Sequence, residues 1–531
     1  MSKVQKNFLN GALILTVSNI LVKIIGAIYK IPLANQITEV GMNYYNDAYQ
    51  IYSLLYVLST AGVPVAIAKM VSESNVARRF EEPKKILKLS TGIFAAIGLT
   101  LAVLMLIFAE PLSHLLQNET TNHCITLIAP AIFLVTVSAT IKGYFQGYKA
   151  MTPSAVFQVI EALFKLAGLG LVAVMVGRGV TDPMTLACGG VLGVTFGSFA
   201  ATVFMVIRYL TEKDIGRFEE TAEPSRKGSS IAKTILTLAI PISLSSSVMS
   251  ITSTLDMFLV KWNLSVFGLD AERVREVYGA YVGATSSLFN LPQALTIGIS
   301  VSVLPFLTTA FAEKRKEEAY KNMRSSAKLV ALIGMPCSLG MSVMSEAIVK
   351  LLYNEGYWAV GVPTLRALSL SVFFVSFVSL SGVFLQAVGK VKTSLMTMGI
   401  GAVMKLVTNV IAVSNIGIMG APIGTFACYG SITILNVLFI YKYMGFRFSL
   451  KDSFLKPFLC SAICCAAAYG VWWALCALGI SLKLALFPAL AVAVLVYAAC
   501  LRILKVLSKD DMLFLPAKVG AILQKTGWVH E

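Results

Sequence analysis

Apolar runs of about 20 residues, the length at which a helix crosses the hydrocarbon of a bilayer, recur from one end of this chain to the other. Few features constrain a fold more tightly. Backbone inside lipid has no water to bond, so each crossing segment must close its own hydrogen bonds. About fourteen candidates of this length run approximately over 8–30, 45–70, 89–109, 124–146, 154–176, 185–208, 234–259, 278–309, 328–349, 366–388, 393–415, 420–441, 457–479 and 484–504. Of the 531 residues, 57% are hydrophobic and 13% charged, whereas charged residues make up about 25% of soluble domains. The chain reads as an all-α polytopic membrane protein. Pro64, Pro130, Pro241, Pro292, Pro305 and Pro336 fall inside the runs, where neighbouring helices can satisfy the freed backbone groups. Lys3 and Lys6 ahead of the first run resemble a signal peptide, but no clear small-residue cleavage site follows. An uncleaved first span is expected.

Loop charge orients these spans. With the N-terminus in the cytoplasm, inside segments carry Arg78, Arg79, Lys84, Lys85 and Lys88, then Lys149, then Lys213, Arg217, Arg226 and Lys227, and so on to Lys456. The outer segments 110–122 and 415–419 carry no Lys or Arg, and the main exception is the mixed-charge loop from Lys261 to Tyr278. About 31 of the 44 basic residues lie inside and about seven outside. A multi-pass protein of the cell membrane with both termini cytoplasmic is expected. The net charge of +17 is therefore topological, and no nucleic-acid partner is implied.

The chain also repeats. A gapless shift of 240 positions sets Gln146 on Gln386, Ser154 on Ser394, Lys165 on Lys405 and Cys188 on Cys428, with eleven identities in the 45 positions from Gln146 to Gly190. Apolar bias alone gives roughly 3–4. The shift carries spans four to six onto spans ten to twelve in the same orientation, a parallel repeat with its axis along the membrane normal and the substrate space between the halves. Two six-helix lobes, 1–210 and 234–443, are expected, joined by a cytoplasmic linker at 211–233. Two further spans follow at 457–505, then an amphipathic cytoplasmic tail at 506–531 with Leu513, Phe514, Leu515, Val519 and Leu523.

Ionisable groups near the centre of a membrane helix cost about 2.5–3.5 kcal/mol each. The candidate set is Lys23, Lys30, Asp47, Lys69, Lys142, Glu161, Lys165, Asp256 and Lys405. Lys165 and Lys405 stand about 18 Å into their spans, too deep to snorkel, whereas Lys30, Lys69 and Lys142 can reach a helix end. Glu161 precedes Lys165 by four residues, the order that favours an ion pair. The same position before Lys405 is Gly401, so this midplane cation suits an anionic head group such as phosphate or pyrophosphate. Asp256, Asn409 and Thr425 offer the oxygens of a hard monovalent cation site; the other reading of Asp256 is a cap or an ion pair with Lys261. Tyr49, Tyr52 and Tyr56 share one helix face, either toward a sugar or as an aromatic packing stripe.

Enzyme signatures are missing: no H-E-x-x-H, no glycine-rich phosphate loop followed by Lys-Ser/Thr, and no Ser or Cys with a histidine base. Nine cysteines sit almost entirely in apolar runs and read as small core residues rather than disulfides or metal ligands. No cofactor is expected. Any transport must be driven by a sodium or proton gradient, by the membrane potential or by substrate flux.

Three stretches carry a family resemblance: GALILTVSNILVKIIGAIYKIPLA from Gly11, DAYQIYSLLYVLSTAGVPVAIAKMVSE from Asp47 and KGYFQGYKAMTPSAVFQVIEALFK from Lys142. LPFLTTAFA from Leu304, FLQAVGK from Phe384 and GAVMKLVTNV from Gly401 continue it. The chain resembles the polysaccharide-biosynthesis flippases of the stage V sporulation protein B type, in the superfamily of multidrug, oligosaccharidyl-lipid and polysaccharide exporters that includes lipid II flippases. The resemblance implies an alternating-access transporter that moves an undecaprenyl-pyrophosphate-linked, lipid II-like glycan across the cytoplasmic membrane, and a monomer among membrane lipids is expected. Gram-negative lipid II flippases use arginines in spans one, two and eight. Here span one offers Lys23 and Lys30, span two has no arginine near 54–59, and span eight has Ser286 and Ser287. The lipid-linked glycan is therefore open between peptidoglycan, spore-cortex and other precursors. On this reading Lys23, Lys30, Lys165 and Lys405 hold the pyrophosphate, Glu161 tunes Lys165, and Tyr49 and Tyr52 meet the sugar. The family's sodium site, between helices seven, eleven and twelve, is matched here by Asp256, Asn409 and Thr425. Two rivals remain. A drug or organic-cation antiporter would use Asp47, Glu161 and Asp256, and a membrane glycosyltransferase would need a catalytic carboxylate on a large outer loop.

Overall fold

Helices account for nearly all of the computed structural model, which describes residues 3–116, 118–212, 224–508 and 511. In chain order they are α1 (Lys3–Thr60), α2 (Val63–Val76), α3 (Glu82–Ile107), α4 (Ala109–Leu115), α5 (Asn122–Gly147) and α6 (Thr152–Gly177). Then come α7 (Pro183–Thr211), α8 (Gly228–Val266), α9 (Ala271–Ala280), α10 (Ser286–Ala312), α11 (Lys316–Val343) and α12 (Ser345–Leu352). The last six are α13 (Trp358–Ser369), α14 (Ser371–Ala387), α15 (Val391–Ile416), α16 (Gly420–Met444), α17 (Lys456–Ala477) and α18 (Leu482–Ile503). Among the described residues, 11 helical runs are long and apolar enough to cross a membrane, or 12 if the pair Glu355–Ser369 and Ser371–Ala387, bent by 43°, is one span. The expected fourteen collapse onto these because 8–30 and 45–70 share one run, and 393–415 and 420–441 share another of 54 residues. Thr38, at φ 64°, breaks α1 internally.

Local chemistry sets many helix starts. Proline occupies the first turn of α2, α3, α6, α7 and α17, where its missing N–H is not needed. Asp182 caps α7 by accepting from the Thr185 backbone N–H at 2.9 Å. Pro64 does not kink a continuous span, as the sequence suggested. It opens α2 after a break at Ala61 and Gly62. Non-helical backbone at membrane depth needs a partner, and the Gly62 N–H donates to Ser243 Oγ at 3.1 Å. A Cβ at Gly62 would collide with the carbonyl oxygen of Ala239 on α8.

Contacts divide the chain into two compact units: Met1–Lys261 with Asp270–Gly279, and Trp262–Leu269 with Ala280–Glu531. This division differs from the lobes expected from the repeat, because most of α8 packs with the first unit. Within the first unit, α6 and α7 approach backbone to backbone. A Cβ on Gly168 would lie 2.6 Å from Gly193 Cα, and one on Gly193 would lie 2.7 Å from Gly168 Cα. In the second unit, α17 and α18 fold against α11 and α12. Trp472, Ala485 and Leu486 pack with Met344 and Ala347, and the Tyr497 hydroxyl donates to the Leu332 carbonyl at 2.7 Å. Residues 213–223 of the expected linker, and Leu513, Phe514, Leu515, Val519 and Leu523 of the expected tail, lie outside the described residues.

The α6–α7 approach leaves no room for one methyl group, and overpacking costs about 1–3 kcal/mol. Gly168→Ala and Gly193→Ala will each lower the unfolding temperature of the detergent-purified protein. Gly170→Ala, with nothing within 4 Å of its Cβ, will leave it unchanged or slightly raised.

Candidate functional site

The tyrosine face expected on the second half of α1 is present and longer than the spacing suggested. Tyr45, Tyr49, Tyr52 and Tyr56 follow one another with ring centroids 5.8, 5.9 and 5.8 Å apart, and Tyr29 adds a ring 6.3 Å from Tyr45. Tyr52 is buried and Tyr49 half-buried. The Tyr29 hydroxyl donates to the Gly190 carbonyl at 2.8 Å, tying the first half of α1 to α7.

Opposing this column, α6 carries Ser154, Gln158, Glu161 and Lys165, spaced four, three and four apart and so along one helical face. Lys165 Nζ stands 3.6 Å from Glu161 Oε1, the pair its spacing predicted. Tyr45 and Tyr49 lie within electrostatic reach of Lys165, and Tyr52 and Tyr56 within reach of Glu161. The Ser198 hydroxyl donates weakly to Glu161 at 3.5 Å.

Where the column and the stripe reach the break after α1, they border a cavity of about 250 Å³ lined by Tyr56, Thr60, Pro64, Lys142, Gln146 and Gln158, with Ser154 beside them. Gln146 Nε2 donates to Ser154 Oγ at 3.1 Å. Lys142 does not snorkel. It is 9% exposed, and its Nζ lies over the face of Phe157, 4.1 Å from the centroid. A ring face answers a cation only partly, and among the described residues Lys142 makes no ion pair. Gln158 Oε1 is buried without a hydrogen-bond partner. Sequence reasoning singled out Gln146 and Ser154 through the repeat and Lys142 through its depth, but gave no reason to join them or to add Gln158. Lys69 is exposed and pairs with Glu73 at 3.8 Å.

Asp47 finds its partner far along the chain. Lys261 Nζ donates to Asp47 Oδ1 and Oδ2, both at 2.5 Å, with side-chain exposures of 3% and 0%. Asn118 Nδ2 adds a bond to Oδ2 at 3.2 Å, and the Tyr278 ring lies 5.0 Å from Nζ. The carboxylate that the fold brings to Lys261 here lies 214 residues away in sequence.

The remaining candidates are distributed. Lys23 and Lys30 are half-buried on α1, in the first unit, as is Asp256 on α8. Lys405, Asn409 and Thr425 belong to the second unit. Asn409 and Thr425 come together there. A Cβ on Gly424 would collide with Asn409 Oδ1, so Asn409 lies against the α16 backbone one residue before Thr425. The Thr425 hydroxyl itself donates to the Ala421 carbonyl at 3.1 Å.

Comparison with known proteins agrees with this architecture. Residues 8–311 match the family model described as polysaccharide biosynthesis protein, and residues 241–411 match the MatE model. Stage V sporulation protein B of Bacillus subtilis (strain 168) is 22% identical over 519 residues, covering 96% of this chain and 98% of that protein. The lipid II flippase MurJ of the same organism is 21% identical over 495 residues, 89% of each chain. Among solved structures, a lipid II flippase MurJ in an inward closed conformation superposes with a TM-score of 0.70 at 16% identity, over 93% of this chain and 98% of that one. An outward-facing multidrug resistance MATE family transporter gives 0.58 at 15% identity, over 82% and 95%. The fold is that of these transporters.

Removing one member of a buried ion pair strands the other charge, at about 3–5 kcal/mol. Asp47→Ala and Lys261→Ala will each destabilise the protein by about this much in denaturant or thermal unfolding. The double substitution will cost clearly less than the sum.

Proposed function

The chain belongs to the polysaccharide biosynthesis protein family, and we propose that it is a flippase that carries a lipid-linked oligosaccharide, of the lipid II type, across the cytoplasmic membrane. The observation that supports this reading most is likeness over nearly the full length to stage V sporulation protein B and to a lipid II flippase. Its relatives are transporters, not enzymes, which agrees with the missing catalytic constellations.

The geometry of the first unit fits an anionic, sugar-bearing substrate. Lys142 brings a buried positive charge to a polar cavity with Gln146, Ser154 and Gln158. An anion there gains charge-assisted hydrogen bonds in a low-dielectric setting, worth about 1.5–3 kcal/mol each. Lys142 therefore joins Lys23, Lys30, Lys165 and Lys405 as a proposed contact to pyrophosphate. Tyr56 and the half-buried Tyr49 would face sugar rings with their flat surfaces. Alternating access, sodium or proton coupling, and cytoplasmic termini belong to the same proposal.

The antiporter reading needs a carboxylate free to hold a cation. Asp47 is committed to Lys261 at 2.5 Å and Glu161 to Lys165 at 3.6 Å. Asp47 and Glu161 are thus each balanced by a lysine, which favours the anionic substrate.

Reconstitution into liposomes, with labelled lipid II beside a second lipid-linked glycan and with or without a sodium gradient, tests the proposal. Transfer of a lipid-linked glycan to the opposite leaflet is the expected result. Lys142→Gln and Lys405→Ala will each slow it by about 10-fold or more, the equivalent of one charge-assisted hydrogen bond. Failure to move any lipid-linked glycan, together with export of organic cations, would overturn it.

A further inference from the structure

Two thiols in the first unit approach each other more closely than core packing requires. Cys124 opens the first turn of α5, and Cys188 lies in the second turn of α7. Their Sγ atoms are 3.2 Å apart. Closing to a disulfide, with S–S about 2.0 Å, takes an approach of about 1.2 Å, within reach of side-chain rotation. Cys124 is fully buried, whereas Cys188 is half-exposed, so one sulfur is open to a reagent and the other waits behind it.

Location supplies the second observation. Segment 110–122, which leads into Cys124, holds no Lys or Arg, and the positive-inside asymmetry puts this end of α5 and α7 on the outer side of the membrane. Disulfides persist outside the reducing cytosol and not within it. The other cysteines include Cys428, Cys460, Cys464 and Cys465, buried along the spans.

We propose that Cys124 and Cys188 form a modification site, a dithiol that closes reversibly to a disulfide and joins α5 to α7 at the outer face. The Cys188 thiolate attacks one sulfur of an external disulfide and expels the other as a thiol. The Cys124 thiolate then attacks Cys188 Sγ in the mixed disulfide and releases the second thiol. Two S–H bonds break and one S–S bond forms, and the two electrons and two protons leave with the reduced external disulfide. The bridge closes a loop of 64 residues and forms beside Gly190, the acceptor for Tyr29. Oxidation therefore fixes the α5–α7 surface on which the first half of α1 rests. A bridge of this loop length also disfavours the unfolded chain.

The test uses the full-length protein, purified without reductant and treated with diamide, a diazene that accepts the same two electrons and two protons. Denaturing alkylation and intact mass will show the nine free thiols falling to seven. A non-reducing digest will contain one linked peptide pair, holding Cys124 and Cys188, that dithiothreitol separates. Cys124→Ser and Cys188→Ser will each keep all eight remaining thiols after diamide. The oxidised wild-type protein will unfold at a higher temperature than the reduced one. Nine thiols surviving diamide, or a bridge between other cysteines, overturns the assignment whether or not the serine variants fold. In intact cells a membrane-impermeant disulfide should close the same bridge, and a bridge that needs a permeant oxidant overturns the outer-face placement.

Discussion

A lysine held away from water must be answered by something, and the first unit answers three of its lysines in three ways. Lys261 meets a fully buried carboxylate, Asp47, whose second oxygen also accepts from Asn118. Lys165 meets Glu161 on its own helix, beside tyrosine hydroxyls. Lys142 meets an aromatic face. The first two arrangements cancel charge, so their field falls off quickly with distance. The third does not cancel it. An ammonium over a ring has, among the described residues, no carboxylate in contact with it, and in a weakly screened interior its charge favours any anion able to enter the neighbouring cavity.

That cavity owes its existence to backbone rather than to side chains. Had α1 continued past Thr60 into α2, a regular helix would pass where Ala61 and Gly62 now turn. Pro64 cannot donate to a carbonyl one turn earlier, and Gly62 alone lets the α8 backbone come close. The freed Gly62 N–H is met by Ser243. Thr60 turns its hydroxyl back onto the Tyr56 carbonyl at 2.6 Å, closing another backbone acceptor. The result is a wall made of Thr60, Ala61 and Pro64 facing Lys142 and Gln158. A helix break that would be costly against lipid becomes a recess because protein on both sides satisfies it.

Periodicity made much of this legible in sequence. The spans, the tyrosine face and the Glu161–Lys165 pair each depend on residues within a few turns of one another. Physical rules at i+3, i+4 and i+7 reach that far. The Asp47–Lys261 pair lies beyond them. Both residues stood out, Asp47 as a charge at membrane depth and Lys261 as a basic residue in an outer loop, but pairing them requires knowing that α8 returns to α1. Pro64 was legible as a breaker but not as a helix start, because the same residue serves either purpose depending on what satisfies the neighbouring N–H. Cys124 and Cys188 gave no signal of proximity at all, since their contact is made by α5 and α7 packing side by side. Cysteine in an apolar run is ordinarily just a small core residue.

The tyrosine column and the α6 stripe take on meaning together. Tyr56 stands at the cavity and within reach of Glu161, and Tyr45 and Tyr49 stand nearer Lys165. Along α1 the surface is aromatic; along α6 it is Ser154, Gln158, Glu161 and Lys165. A wholly apolar lining would reject a glycan because its hydroxyls would go unbonded. A wholly charged lining would hold it too firmly to release. On the proposed reading, rings on one side would accommodate the apolar faces of sugars, while amide, hydroxyl and paired charges on the other would exchange hydrogen bonds with their edges. Glu161 and Lys165 balance each other at 3.6 Å until a phosphate competes for the lysine, so the stripe alone carries no net charge. On the proposed reading Lys142, over the Phe157 ring and beside the cavity, adds a further positive charge where a phosphate would be held.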